Sequence, residues 1–246
     1  MPSIKKPKAP KSLHSPFESE LSCVQFTASS RGLKNKLLEL RDVSKITHIV
    51  VHTTGVSIYK NRLDKPDIKP LGLAKGVAWT YQNIMDDSGH FVVAADGIGQ
   101  TVPVKYSARH VGGQDHNLYA PILKEMWLPQ WWHHETDKYP LLKESTRRAW
   151  KKGSCNAVSI GVELLPPRTI KGSFDAKTLE NAKILLRELL EKYPQVEYVT
   201  THARVCPTKR TSKNKPYDLF DHLWKQLETE CRDLFHSQGA RGPVLT

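Results

Sequence analysis

The chain has 246 residues, 39% of them hydrophobic, which suits one large domain with a real core. Lys and Arg number 37 against 25 Asp and Glu, and the formal charge of +12 favours an anionic partner: nucleic acid, a lipid surface or an acidic polymer. No apolar run is long enough to span a bilayer. The four cysteines (Cys23, Cys155, Cys206, Cys231) form no CxxC pair and do not read as a disulfide framework.

Residues 1–30 are read as a basic, disordered extension, richest in Lys, Pro and Ser over its first half. No apolar segment follows its lysines, so a classical signal peptide is not expected, and synthesis in the cytoplasm is. The main domain is expected over 31–238, with a loose tail at 239–246. KNKLLELRDV (34–43) reads as a short helix or a lead-in to the first strand. ITHIVVHTTG (46–55) reads as a central strand, with β-branched Ile46, Ile49, Val50 and Val51 ending at His52.

Residues 55–76 read as a loop. The segment 78–85 is expected to be a strand, turning at Asp86–Gly89 into a return strand His90–Ala94. A second turn is expected at Asp96-Gly97 and another short strand at Gln100–Val104. SARHVGG (107–113) breaks into loop. Residues 114–155 carry four of the six tryptophans (Trp127, Trp131, Trp132, Trp150), His133, His134 and a basic RRAWKK run. They read as an insertion over one face of the domain, whose tryptophans either seal it to the core or contact substrate.

NAVSIGVELLPP (156–167) reads as a buried strand with a lone carboxylate, Glu163. Burying that charge is costly unless it is paired or protonated. Ser173 or Asp175 is placed to cap a helix over 177–193, with Leu179, Ala182, Leu186, Leu189 and Tyr193 on its apolar face. QVEYVTTH (195–202) is the next strand and again ends in a histidine, His202. A last helix spans about 219–235 on the period of Leu219, Leu223, Leu227, Cys231 and Leu234.

Two strand-terminal histidines can converge at the end of an α/β sheet. With a carboxylate or thiolate and one open position they would make a catalytic zinc site, although a single strand-end histidine is more often a satisfied polar residue. The run IVVHTTG, then YQNIMDDSG, SARHVGG, NAVSIGVELL and EYVTTHARVCPT, in that order, resembles the type 2 N-acetylmuramoyl-L-alanine amidases. That family shares its fold with phage T7 lysozyme and the peptidoglycan recognition proteins. The resemblance covers about residues 45–222 apart from the insertion.

The resemblance implies an α/β fold with a single mixed central β-sheet flanked by helices. It also implies zinc-dependent hydrolysis of the amide between the muramoyl lactyl group and L-alanine. His52 and His202 correspond to two metal ligands, Glu163 to a general base, Tyr81 to a catalytic tyrosine and His110 to a cleft-lining histidine. Trp79 and Arg210 are further candidates for substrate contact. Tyr81 has an alternative reading as a core aromatic, and His110 as a loop anchor. Gln82 after Tyr81 departs from the family pattern.

For the third ligand, position 212, where the family pattern would allow one, is Ser. Asp218 in KPYDLF and Cys206 are the candidates, and Asp218 also suits a helix N-cap. Lys215 or Arg210 would stabilise the oxyanion, although the five basic residues of 204–215 include ordinary solvated charge. The expected partners are peptidoglycan or muropeptide and, for delivery, a secretion or phage-lysis system. Endolysin, antibacterial-effector and cytoplasmic recycling roles all fit, with action on a periplasmic or extracellular wall favoured. The competing classes are a metal-free peptidoglycan-binding module and a basic nucleic-acid binder. For the latter, no helix-turn-helix or finger spacing is found.

Overall fold

The computed structural model describes residues 18–27, 40–55, 58–83, 89–111, 155–169, 171–202 and 221–237. Residues 1–17 and 28–30 of the N-terminal extension, the Trp-rich insertion up to 154, the segment 203–220 and the tail therefore lie outside the described residues, whereas residues 18–27 of that extension hold a short strand, Phe26–Thr27, and bury Leu21. In chain order the elements are β1 (Phe26–Thr27), β2 (His48–Thr53), α1 (Leu73–Asn83), β3 (Phe91–Ala94), β4 (Gly97–Gln100), α2 (Cys155–Val158), β5 (Ser159–Leu164), α3 (Ala176–Lys192), β6 (Tyr198–Thr201), α4 (Asp221–Glu230) and α5 (Arg232–Ser237). The strands form one mixed sheet in the order β1-β4-β3-β5-β2-β6. All its pairings are parallel except the antiparallel β3–β4 hairpin.

The pleat sends alternate residues to opposite faces. Ile49 and Val51 of β2, Phe91 and Val93 of β3, Ile160, Val162 and Leu164 of β5, and Val199 of β6 enter one apolar core. That core is closed by α3 through Ala182, Leu185, Leu186, Leu189 and Leu190. Leu223, Trp224, Leu227, Cys231 and Leu234 of the C-terminal helices complete it. Helix α3 starts where Asp175 accepts a hydrogen bond from the Lys177 N–H, so Asp175 rather than Ser173 is the cap. The expected last helix divides at Cys231 into α4 and α5.

The other face has two unlike halves. Over β3 and the end of β5, Val92, Ala94 and Leu165 pack under α1 with Ala74, Val77 and Tyr81. Over β2, β5 and β6 the same pleat is mostly polar: His48, His52, Ser159, Glu163, Thr200 and the following His202 are all buried there, with Val50 and Gly161 between them.

Three expectations are corrected here. Residues 78–83 continue a helix, so no strand at 78–85 hairpins onto β3, and Trp79 and Tyr81 are helical. The partners of β3 are β4 and β5. Val77, Trp79, Thr80 and Tyr81 favour strands locally, but Ala74, Val77, Ala78 and Tyr81 are buried at helical spacing. Moreover, the Asp96 carboxylate, from the β3–β4 turn, accepts the N–H groups of Leu73 (2.6 Å) and Ala74 (2.9 Å) at the helix start. The strand placed at Gln100–Val104 is instead β4, which ends at Gln100, with Gly97 at φ 145° supplying the tight turn. The loop at 55–76 contains a π-helical turn (Tyr59–Leu63) and a 3-10 turn (Lys69–Leu71). Of the short helix expected at 34–43, only the end is described: Leu40 bridges Tyr106, and a 3-10 turn follows at Val43–Lys45.

Two predictions concern this framework. Leu189 is fully buried between α3 and the sheet, so Leu189→Ala should destabilise the fold by about 2–5 kcal/mol in denaturant unfolding. A loss near zero would show that the site collapses around the smaller side chain. His48 stacks on Tyr198 at 4.8 Å between centroids and its Nδ1 lies 2.8 Å from Thr47 Oγ1. Burial holds its pKa at about 4, below the ordinary 6.5. The unfolded chain therefore binds this proton first as pH falls. The His48 contribution is complete above pH 6.5 and is lost progressively toward pH 4. In metal-free protein, unfolding free energy should fall more across that window in wild type than in His48→Phe. Parallel curves would contradict it.

Candidate active site

The site lies at the carboxyl ends of β2, β5 and β6, where parallel strands deliver side chains to a common edge. In the β2–β5 ladder His52 pairs with Glu163. In the β2–β6 ladder Val51 pairs with Thr201, so His202 follows beside His52. The two imidazoles meet edge to face, with ring centroids 4.6 Å apart at 62°. His52 is 3% exposed, and His202 and Glu163 are each 6% exposed. Three chemically competent groups from three strands thus share one buried position on the sheet.

His110 joins them from the segment after β4. Its Nδ1 lies 3.0 Å from His52 Nε2, and its Nε2 lies 3.0 Å from Ser159 Oγ. The ring rests directly on β5: a Cβ built on Gly161 would stand 2.4 Å from His110 Cγ. Gly161 is thus the seat for His110, which is the reason a glycine interrupts an otherwise branched strand. Asn156, just before β5, fixes the segment by accepting from the Val111 N–H (3.0 Å) and donating to the Val111 carbonyl (3.2 Å).

Behind His110 stands His90. Its Nδ1 accepts the Gly161 N–H at 2.9 Å, which leaves its proton on Nε2, facing the Tyr106 carbonyl at 3.0 Å. The Arg41 guanidinium comes within 2.9 Å of that nitrogen. It donates to the carbonyls of Val104, Asn156 and Ser159, tying the start of β5 to the segment that carries His110. Burial lowers the Arg41 pKa to about 9. Burial, reinforced by the Arg41 charge, holds His90 well below the usual imidazole range. His110 is held down in the same way, by burial first and then by His90, Arg41 and His202. Both rings are neutral members of a hydrogen-bonded scaffold.

The other sequence candidates separate clearly. Tyr81 is buried on α1 in the apolar cluster beside Val92, the residue that pairs with Glu163. Trp79 packs half-buried against that cluster. Asp218, Cys206, Lys215 and Arg210 lie outside the described residues. Among the described residues no group of three His, Cys, Asp or Glu is placed to hold a metal ion. The donors that are described nevertheless suit zinc: two buried, adjacent imidazoles with a carboxylate on the neighbouring strand. Arg41, His90, Asn156 and Ser159 had not been singled out from the sequence. Ser159 and Gly161 share one face of a strand that already held Glu163, and that spacing was the available signal.

A search of curated protein sequences finds no match. Solved structures with a similar course include a selenomethionine derivative of AmpD, 18% identical over 85% of this chain and 95% of that one, with a TM-score of 0.48. PlyL is 15% identical over 85% and 96%, with a TM-score of 0.46. Peptidoglycan recognition protein-LE, in complex with tracheal cytotoxin, is 14% identical over 85% and 94%, with a TM-score of 0.47. The family model for N-acetylmuramoyl-L-alanine amidase matches residues 42–217, from the lead into β2 to the stretch before α4. The chain belongs to the N-acetylmuramoyl-L-alanine amidase family and is a hydrolase of the peptidoglycan amide bond.

Proposed function

We propose that the reaction is zinc-dependent cleavage between the lactyl group of N-acetylmuramic acid and the L-alanine of the stem peptide, at the edge formed by His52, Glu163 and His202. The observation that carries this reading is the edge-to-face contact of His52 with His202 while Glu163 pairs with His52 on the next strand. His52 and His202 would hold the metal together with Asp218, or with Cys206 in its place. Zinc supplies acidification of water and polarisation of the amide carbonyl.

The chain's own groups do the rest. Glu163 takes a proton from the attacking water and passes it to the departing L-alanyl amine, so that water and amide become a carboxylic acid and an amine. Tyr81, on the Glu163 face of the sheet, is the second proton-handling candidate. Lys215 or Arg210 would balance charge on the carbonyl oxygen as the carbon becomes tetrahedral. Trp79 and the tryptophans of 114–155 are proposed to line the groove for sugar or peptide. The net charge of +12 draws the enzyme to an anionic wall. Among the described residues no helix is long and apolar enough to cross a membrane. Action on a periplasmic or extracellular wall, after lysis or secretion, is the proposed setting, and the domain is proposed to span 31–238.

Glu163→Gln should lower kcat by about 10²–10⁴-fold with zinc content unchanged. The check is mass analysis of digests of purified peptidoglycan. Wild type should release stem peptides beginning with L-alanine, and their absence under zinc-replete conditions would reject the reaction. For the third ligand, Asp218→Ala and Cys206→Ala proteins should be compared for bound zinc. Stoichiometric metal lost in the first and kept in the second identifies Asp218, and the reverse result identifies Cys206.

A further inference from the structure

We propose that His110 is a positioning residue: braced by Ser159 and seated on Gly161, it accepts the Nε2 proton of His52 and turns the lone pair of His52 Nδ1 outward to the metal. This rests on the reading of His52 as a ligand, and it develops the reading of His110 as an anchoring hydrogen bonder rather than as a cleft-lining residue.

The direction of the chain of protons follows from the reading of His52 as a ligand. A neutral imidazole has one N–H and one acceptor nitrogen. His52 Nε2 is occupied by His110 Nδ1, 3.0 Å away, so a metal would take the lone pair of His52 Nδ1 and the His52 proton sits on Nε2. His110 Nδ1 is then the acceptor, and the proton of His110, on Nε2, is donated to the Ser159 hydroxyl 3.0 Å away. Ligating histidines generally have their second nitrogen held in this manner, which fixes both tautomer and ring orientation.

The arrangement is built. Gly161 leaves room for the ring to lie on the strand, where any side chain would collide with it. The Asn156–Val111 pair of hydrogen bonds fixes the residue next to His110. Arg41 ties Val104 to both Asn156 and Ser159, so the acceptor and its brace move as one body. His90, with its Nδ1 on Gly161 N–H, packs 5.7 Å from His110 between centroids. Substrate need not touch any of these groups for them to matter.

The first test needs no metal. In chelator-treated, 15N-histidine-labelled protein, long-range 1H–15N spectra should show His52 as the Nε2–H tautomer, its signals assigned by their loss in His52→Asn. A His52 proton on Nδ1 overturns the proposal. The second test uses chelator competition for zinc. His110→Asn keeps an acceptor where Nδ1 stands and should hold zinc near wild-type strength, whereas His110→Phe, a better space-filler without an acceptor, should weaken it about 10–100-fold. A purely packing role predicts that Phe is the milder change, and that outcome also overturns the proposal. Wild-type protein that binds no zinc would instead sink the metal reading of the site, while the tautomer result stands or falls by itself.

Discussion

Burying a row of imidazoles on one half of a sheet face is tolerated only if their nitrogens find partners, because an unsatisfied polar atom away from water is costly. Much of the structure around the site answers that demand. His90 is satisfied by the Gly161 N–H and the Tyr106 carbonyl, and His110 by Ser159 and His52. The carbonyls that crowd the start of β5 are taken up by a half-buried arginine, Arg41. Arg41 has lost much of its hydration, and its preference for the charged form is reduced accordingly. Its three carbonyl acceptors offset that loss and cross-link the sheet to the segment before the insertion.

The same face is divided by function. Under α1 the pleat carries Val92 and Ala94, with Leu165 just past β5, and the helix is positioned by the Asp96 carboxylate at its N-terminus as well as by apolar contact. Beyond Glu163 the pleat turns polar. The boundary runs along β5, whose alternate residues Ser159, Gly161 and Glu163 act as brace, seat and reactive group. A one-residue slip of β5 against β2 would move all three into the opposite core. Ile160, Val162 and Leu164 on that opposite face hold the register by their burial.

What the sequence revealed follows this division. Strands β2, β5 and β6 were legible because they are parallel and buried, so their β-branched runs are continuous and their polar termini stand out. Helix α3 was legible from its apolar period. Helix α1 was not, because Val77, Trp79, Thr80 and Tyr81 favour strands locally and the group that starts the helix, Asp96, lies beyond the helix in the next turn of chain. The His52–Glu163 pairing needs the sheet register, which strand runs alone do not state. His110 was found by resemblance, with a loop anchor as its other reading, but its neighbours were not: a loop histidine gives no sign that it will lie on a glycine of a strand about fifty residues later. Arg41 gave no sign either, since among 37 basic residues one that bonds carbonyls beneath the surface looks like the rest.

Glu163 brings a carboxylate to this face of imidazoles. Its side chain is packed as tightly as its neighbours: a Cβ on Gly89 would lie 2.8 Å from Glu163 Cγ. A carboxylate at that depth carries a large desolvation cost, and His110, seated on the same strand at Gly161, is held neutral by its own burial. A divalent cation on His52 and His202 would supply the positive charge that the neutral rings lack. A cation there would also favour the ionised form that a general base needs. In this reading the neutrality of the histidine scaffold is itself functional. A cationic His110 would lose its acceptor nitrogen and, with it, its hold on His52.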